Sequence, residues 1–150
     1  MKVFDALTRQ QRFDFFAFDP GFRGGVRVAA GDVNGDGYPD IVCAAGPGGG
    51  PHVKVFSGSN LALLYSFYAY DSGFNGGINV AVGDVNGDGF ADIVTGPGSR
   101  GGPNVKVFSG ANGAQLLSFF AFDRGFTGGV SVAAGASARS GSSRPDLIKI

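Results

Sequence analysis

Two nine-residue segments concentrate the side chains able to do chemistry. They are Asp32-Val33-Asn34-Gly35-Asp36-Gly37-Tyr38-Pro39-Asp40 and, 52 positions later, Asp84-Val85-Asn86-Gly87-Asp88-Gly89-Phe90-Ala91-Asp92. Carboxylate or amide oxygens stand at positions 1, 3, 5 and 9 of each segment. Calcium takes about 6–8 oxygen ligands at roughly 2.3–2.6 Å, and a tightly wound loop with oxygens at alternate positions can surround it. Glycine after position 5 permits the sharp turn that such a loop needs. The spacing assigns Asp32, Asn34, Asp36 and Asp40 as side-chain ligands, with the Tyr38 carbonyl at position 7. The second site is Asp84, Asn86, Asp88 and Asp92 with the Phe90 carbonyl.

Magnesium demands tighter octahedral geometry and keeps its waters, and zinc prefers His and Cys, so calcium is the expected ion. The loops are not EF-hands. Position 12, which would carry Glu, holds Cys43 and Thr95, and the flanks read as strands. Asp, Asn and Gly also favour metal-free turns, but two copies with every oxygen position intact favour a metal. The third copy, Gly135 to Asp146, has Ala136 and Ala138 at positions 1 and 3, adds Arg139, and carries two extra residues before Asp146. No calcium is expected there, which leaves two Ca2+ per chain.

The elements that must hold these loops follow from the repeat. Lys2-Val3-Phe4 recurs as Lys54-Val55-Phe56 and Lys106-Val107-Phe108, a period of 52 without a gap. Phe15 to Asp19 is matched by Phe67 to Asp71 and Phe119 to Asp123, and the whole chain divides into units 2–53, 54–105 and 106–150. Fixed periods of this size announce solenoids or propellers. The middle copy reads as strands near 77–82, 92–96 and 104–108, with 63–70 as the model for the fourth, each bounded by Gly, Pro, Asn or Asp. Narrow side chains suit 77–82 to an innermost position. Large side chains on both faces of 63–70 predict a sheet covered on both sides.

The fold class is therefore all-β, a propeller of four-stranded antiparallel blades with almost no helix. The chain opens on strands three and four of a unit, runs two complete sets, and ends on strands one and two near 130–134 and 146–150. That is three blades in a single propeller-half domain, 1–150. Propellers hold about 4–8 blades, and six is the only multiple of three in that range, so a homodimer sharing two composite blades is expected. Asp146 to Ile150 of one copy would pair with Lys2-Val3-Phe4 of the other, hiding open strand edges. A fragment of a longer propeller is the competing account.

Composition narrows the function. Twelve basic and twelve acidic residues cancel, which removes the electrostatic case for nucleic acid or an anionic membrane. All twelve acids are Asp, a turn-former, and 28 glycines suit tight turns. The single Cys43 reads as a buried strand residue. No apolar run is long enough to span a membrane, and the start lacks a signal-peptide core. Catalysis is not expected: His52, matched by Asn104, reads as a surface turn residue, and no nucleophile elbow, Cys-His pair or phosphate loop occurs.

Asp-x-Asn-x-Asp-Gly-x-x-Asp running into Ile-Val and a Gly-Pro turn, in Gly31 to Pro47 and Gly83 to Pro97, resembles the FG-GAP repeats of the integrin α-subunit propeller and the related bacterial VCBS-type repeats. The resemblance implies calcium ions that stiffen rim loops structurally, and an extracellular or cell-surface location. It also implies a structural, adhesive or protein-interaction role. It leaves open a lectin-like propeller that binds glycans, as in a fungal group with this repeat type, and an isolated or engineered half without a ligand. Gly48-Gly49-Gly50-Pro51 and Gly101-Gly102-Pro103 read as hairpin turns, with repeated shallow pockets as the alternative.

Overall fold

The computed structural model describes residues 1–135 and the strand Leu147–Lys149. Those residues form twelve strands and no helix: β1 (Lys2–Phe4), β2 (Gln11–Asp14), β3 (Val26–Gly31), β4 (Asp40–Ala45), β5 (His52–Phe56), β6 (Leu63–Tyr68), β7 (Ile78–Gly83), β8 (Asp92–Pro97), β9 (Asn104–Phe108), β10 (Gln115–Phe120), β11 (Ala133–Gly135) and β12 (Leu147–Lys149). They are short because Gly, Pro, Asn and Asp punctuate the chain. Two complete four-stranded sheets, β3-β4-β5-β6 and β7-β8-β9-β10, are flanked by the pairs β1-β2 and β11-β12, and every pairing is antiparallel. Each sheet is a meander in sequence order, the strand order of a propeller blade.

The register repeats as the sequence does. Val28 faces Cys43 across β3 and β4, and Val80 faces Thr95 across β7 and β8. The first strands of successive sheets, β3, β7 and β11, lie side by side, in keeping with their narrow side chains. Between the sheets run apolar layers. Val42, Ala44, Val53 and Val55 of the first sheet meet Ile78 and Ile93 of the second, with Leu64, Tyr65 and Phe67 packed against them. A second layer joins Val94, Val105 and Val107 to Val130, and a third joins Ile41 and Cys43 to Val3, Phe13 and Phe15. Strands β4 and β8 are buried along their whole length, as befits second strands covered on both faces.

Three sequence expectations change. The fourth strand of the first sheet ends at Tyr68 and not at residue 70: its last partner is His52, the first residue of β5, and one further bond, from the Ala69 amide to the Pro51 carbonyl at 2.9 Å, follows it. Strand β11 starts at Ala133, where pairing with Lys149 begins, while the Val130 amide bonds Pro97 O at 2.9 Å. Double-sided covering holds only in part: β6 mixes exposed and half-buried residues, and β10 is exposed throughout because, among the described residues, no complete sheet lies against its outer face. The degenerate third loop, 136–146, lies outside the described residues.

Candidate metal loops

Each Asp-rich segment spans the turn from the first strand of a sheet to the second, so strands flank both loops. Residues 35 and 37 take φ of +74° and +85°, and residues 87 and 89 take +76° and +90°. That left-handed backbone is open to glycine at little cost and turns the chain back on itself twice within five residues.

The winding is held by the carboxylates. Asp32 accepts the Asp36 amide at 3.0 Å on Oδ1 and the Gly37 amide at 2.8 Å on Oδ2. Asn34 Oδ1 accepts the Asp36 amide at 3.0 Å, its Nδ2 donates to Asp36 Oδ2 at 3.1 Å, and Asp36 Oδ1 accepts the Tyr38 amide at 2.8 Å. The second loop repeats this pattern: Asp84 accepts Gly87, Asp88 and Gly89, Asn86 bonds Asp88, and Asp88 accepts Phe90.

Position 9 behaves differently. Asp40 and Asp92 are the first residues of β4 and β8 and have no exposed surface. Asp40 Oδ2 accepts the Val33 and Asn34 amides at 2.8 and 3.1 Å, and its Oδ1 accepts the Gly58 amide at 3.0 Å. Asp92 likewise accepts Val85 and Gly110. Gly58 and Gly110 come this close because they lack a side chain: a Cβ would strike the Pro39 or Ala91 carbonyl. Each buried Asp thus ties its loop to the turn after the third strand of the same sheet. Burial raises the Asp92 pKa, with Asp88 and Asp84 adding to the rise and the Gly110 and Val85 amides opposing it. Distance in sequence hid this turn from the reading of the loop; the Ser57-Gly58 and Ser109-Gly110 pairs 52 apart were its only signal.

The two loops touch. The Ala91 amide donates to Asp32 O at 2.9 Å, and the Phe90 ring packs over Gly35. Tyr38, by contrast, is exposed.

The donor set fits a hard cation: three carboxylates and an amide oxygen per loop, with no nitrogen or sulfur ligand. An ionised carboxylate offers about four lone-pair sites, so Asp32 and Asp36, each accepting two hydrogen bonds, retain capacity for an ion. The carboxylates serve amides, and no three His, Cys, Asp or Glu side chains converge as a metal-holding group among the described residues.

Other singled-out residues fall as follows. Cys43 is buried in β4, and desolvation pushes its thiol from 9.0 up to about 12. His52 is the first residue of β5 and not a turn residue, with Nε2 2.8 Å from Ser66 Oγ and its ring against Phe18 and Tyr68. Burial and then Lys54 lower its pKa. No helix among the described residues is long and apolar enough to cross a membrane.

Residues 32–95, one loop through the next and into β8, match the FG-GAP-like repeat family. Chicken (Gallus gallus) integrin alpha-V is 33% identical over 87 residues, covering 53% of this chain and 8% of that protein. The chain therefore spans a small part of the relative it matches. The repeated loop, its flanking strands and the meander agree with that match: residues 32–95 are similar to an FG-GAP-like repeat, and the chain shares part of its length with an integrin α subunit.

Proposed function

We propose that this chain is a non-enzymatic, calcium-binding structural module of a β-propeller, serving adhesion or protein interaction outside the cell. One Ca2+ would bind per intact loop: Asp32, Asn34, Asp36, Asp40 and the Tyr38 carbonyl in the first, Asp84, Asn86, Asp88, Asp92 and the Phe90 carbonyl in the second. The observation that carries this reading is the buried Asp at position 9. It joins the oxygen-rich loop to the blade body, so an ion held by the loop would stiffen the rim of the sheet. The integrin likeness supports a surface or extracellular setting and a binding role.

Ring closure belongs to the same proposal. The pairs β11-β12 and β1-β2 carry strands one and two and strands three and four of a blade. A second copy placing its β1 beside β12 would complete one composite blade, and symmetry would complete another, giving six blades and four ions per dimer. Buried pairing of these edges would remove the open templates that invite aggregation.

The test is calcium titration by calorimetry with thermal melts in calcium and in chelator. Two sites per chain are expected. An ion at about 100 times its Kd adds roughly 2.7 kcal/mol, or about 5–10 °C per site. Asp36→Ala and Asp88→Ala should each abolish one site. A melting temperature unmoved by chelator would overturn the metal reading.

A further inference from the structure

Where β3, β7 and the segment leading into β11 lie side by side, Arg27, Asn79, Val80, Ser131 and Val132 line an open cleft of about 230 Å³. Arg27, Asn79 and Ser131 stand at one repeat position, 52 residues apart, so three successive units send the same position to one place. The residue types differ there, and each carries a hydrogen-bond donor: a guanidinium, a primary amide and a hydroxyl.

These donors are largely unspent. The Arg27 guanidinium belongs to a half-buried residue, and among the described residues no hydrogen bond, ion pair or ring contact holds it. Asn79 Nδ2 gives one hydrogen to Val130 O at 2.7 Å and keeps the other. The backbone adds a donor. The Gly98 amide donates to Gly77 O at 2.8 Å, and the register continues as Asn79 opposite Gly96 and Ala81 opposite Val94. Ladder bonds of an antiparallel pair fall on alternate residues, so the Val80 amide points away from β8, on the free edge of β7. No acid answers them: residues 26–31, 78–83 and 130–135 contain no Asp. Along the strands the next acids are Asp32 and Asp84, each five residues on, about 16 Å at strand rise and past the roughly 8–10 Å over which exposed charges act.

We propose that this cleft binds one small oxyanion, a sulfate, phosphate or carboxylate group, on the Arg27 fork. A guanidinium presents paired N–H groups that match two oxygens of such a group, and charge-assisted bonds of this kind are the strong ones. The remaining Asn79 hydrogen, the Ser131 hydroxyl and the Val80 amide supply further donors around it. A cation would be repelled by Arg27, and an apolar ligand would bury the guanidinium without compensation. The volume lies below the roughly 300–1,000 Å³ of pockets that enclose drug-sized molecules, which suits a single charged group. The cleft uses none of the loop oxygens and needs no second copy, so this inference stands or falls apart from the calcium and ring-closure readings.

The test is amide NMR on the 150-residue chain in calcium buffer at low ionic strength, titrated with sulfate, methyl phosphate and acetate, with chloride at matched ionic strength as the control. Saturable shifts are expected at the Val80 and Ser131 amides, the Asn79 side-chain amide and Arg27 Nε, and none with chloride. A stronger response to sulfate and methyl phosphate assigns a tetrahedral group, and a stronger response to acetate assigns a carboxylate. Arg27→Gln should weaken binding by about tenfold or more, with signals outside the cleft unmoved, showing an intact fold. Arg27→Lys keeps the charge but loses the fork, and should bind between the two. The proposal is overturned by an absence of saturable shifts, by equal shifts with chloride, or by undiminished binding in Arg27→Gln. Shifts confined to residues 32–40 and 84–92 would also overturn it, because the anion would then sit on the loops.

Discussion

Strands β6 and β10 are the same element 52 residues apart, yet one is a joint and the other a bare surface. On β6, Leu64, Tyr65 and Phe67 pack against the second sheet, Phe67 stands 4.7 Å from the Phe108 ring, and the Tyr65 hydroxyl reaches Gly110 O at 2.7 Å. Their counterparts Leu116, Leu117 and Phe119 face solvent, Leu117 at 46% and Phe119 at 38% exposure. The inner strands show the contrast again: Ile78 is fully buried between sheets, while Val26 at the matching position is 40% exposed. Local sequence decides that each strand forms, and the neighbouring blade decides what it is worth. In repeat proteins stability is a sum of unit and interface terms, and among the described residues the interface on the β10 side is unmade.

The largest expected effect tests that statement at the inner strand. Ile78→Ala should cost about 2–5 kcal/mol by urea unfolding, and Val26→Ala roughly 1 kcal/mol or less in the single chain. Comparable costs would break the comparison. Next, Phe67→Ala should cost about 2–3 kcal/mol, since its ring is only half-buried, and Phe119→Ala about 0.5 kcal/mol or less in the monomer. If a second copy covers β10, Phe119→Ala would instead weaken the dimer, and a dilution series of melts separates the two. Smaller again, Tyr65→Phe removes one hydroxyl bond to the next sheet, for about 1 kcal/mol; Leu117, its counterpart, has no hydroxyl to lose.

The smallest effect is a lack of reactivity. Cys43 lies in the layer between β4 and the β1-β2 pair, and its thiol is pushed up to about 12. A raised folded value means that native stability is fully present below the ordinary value of 9.0 and is lost as pH rises through 12. A disulfide reagent at pH 8 should therefore label Cys43 only after unfolding. Rapid native labelling would mean that the β1-β2 pair opens freely and does not cover β4.

Much of this was legible in the sequence because it is local and periodic. The 52-residue step sets strand order and the 2 + 4 + 4 + 2 arrangement of twelve strands. What escaped is nonlocal. Apolar residues at 115–120 cannot declare whether a neighbour covers them. The spacing expects Asp40 as an oxygen ligand but says nothing of its hold on the Gly58 amide, which joins residues 18 apart and depends on a glycine meeting the Pro39 carbonyl closely. Repeated shallow pockets at Gly48 to Pro51 and Gly101 to Pro103 stand in the sequence as the alternative to plain hairpin turns, but their remaining lining is nonlocal: Phe22 and Lys54 lie 32 positions apart, and only the meander brings them together.

The most direct test of the account is the solution mass by light scattering after gel filtration in calcium buffer. The ring closure proposed above predicts a dimer at twice the 15.3 kDa chain mass, held across a wide concentration range. A stable 15.3 kDa monomer across that range would contradict the proposed closure, because β10 would then stay exposed without a second copy.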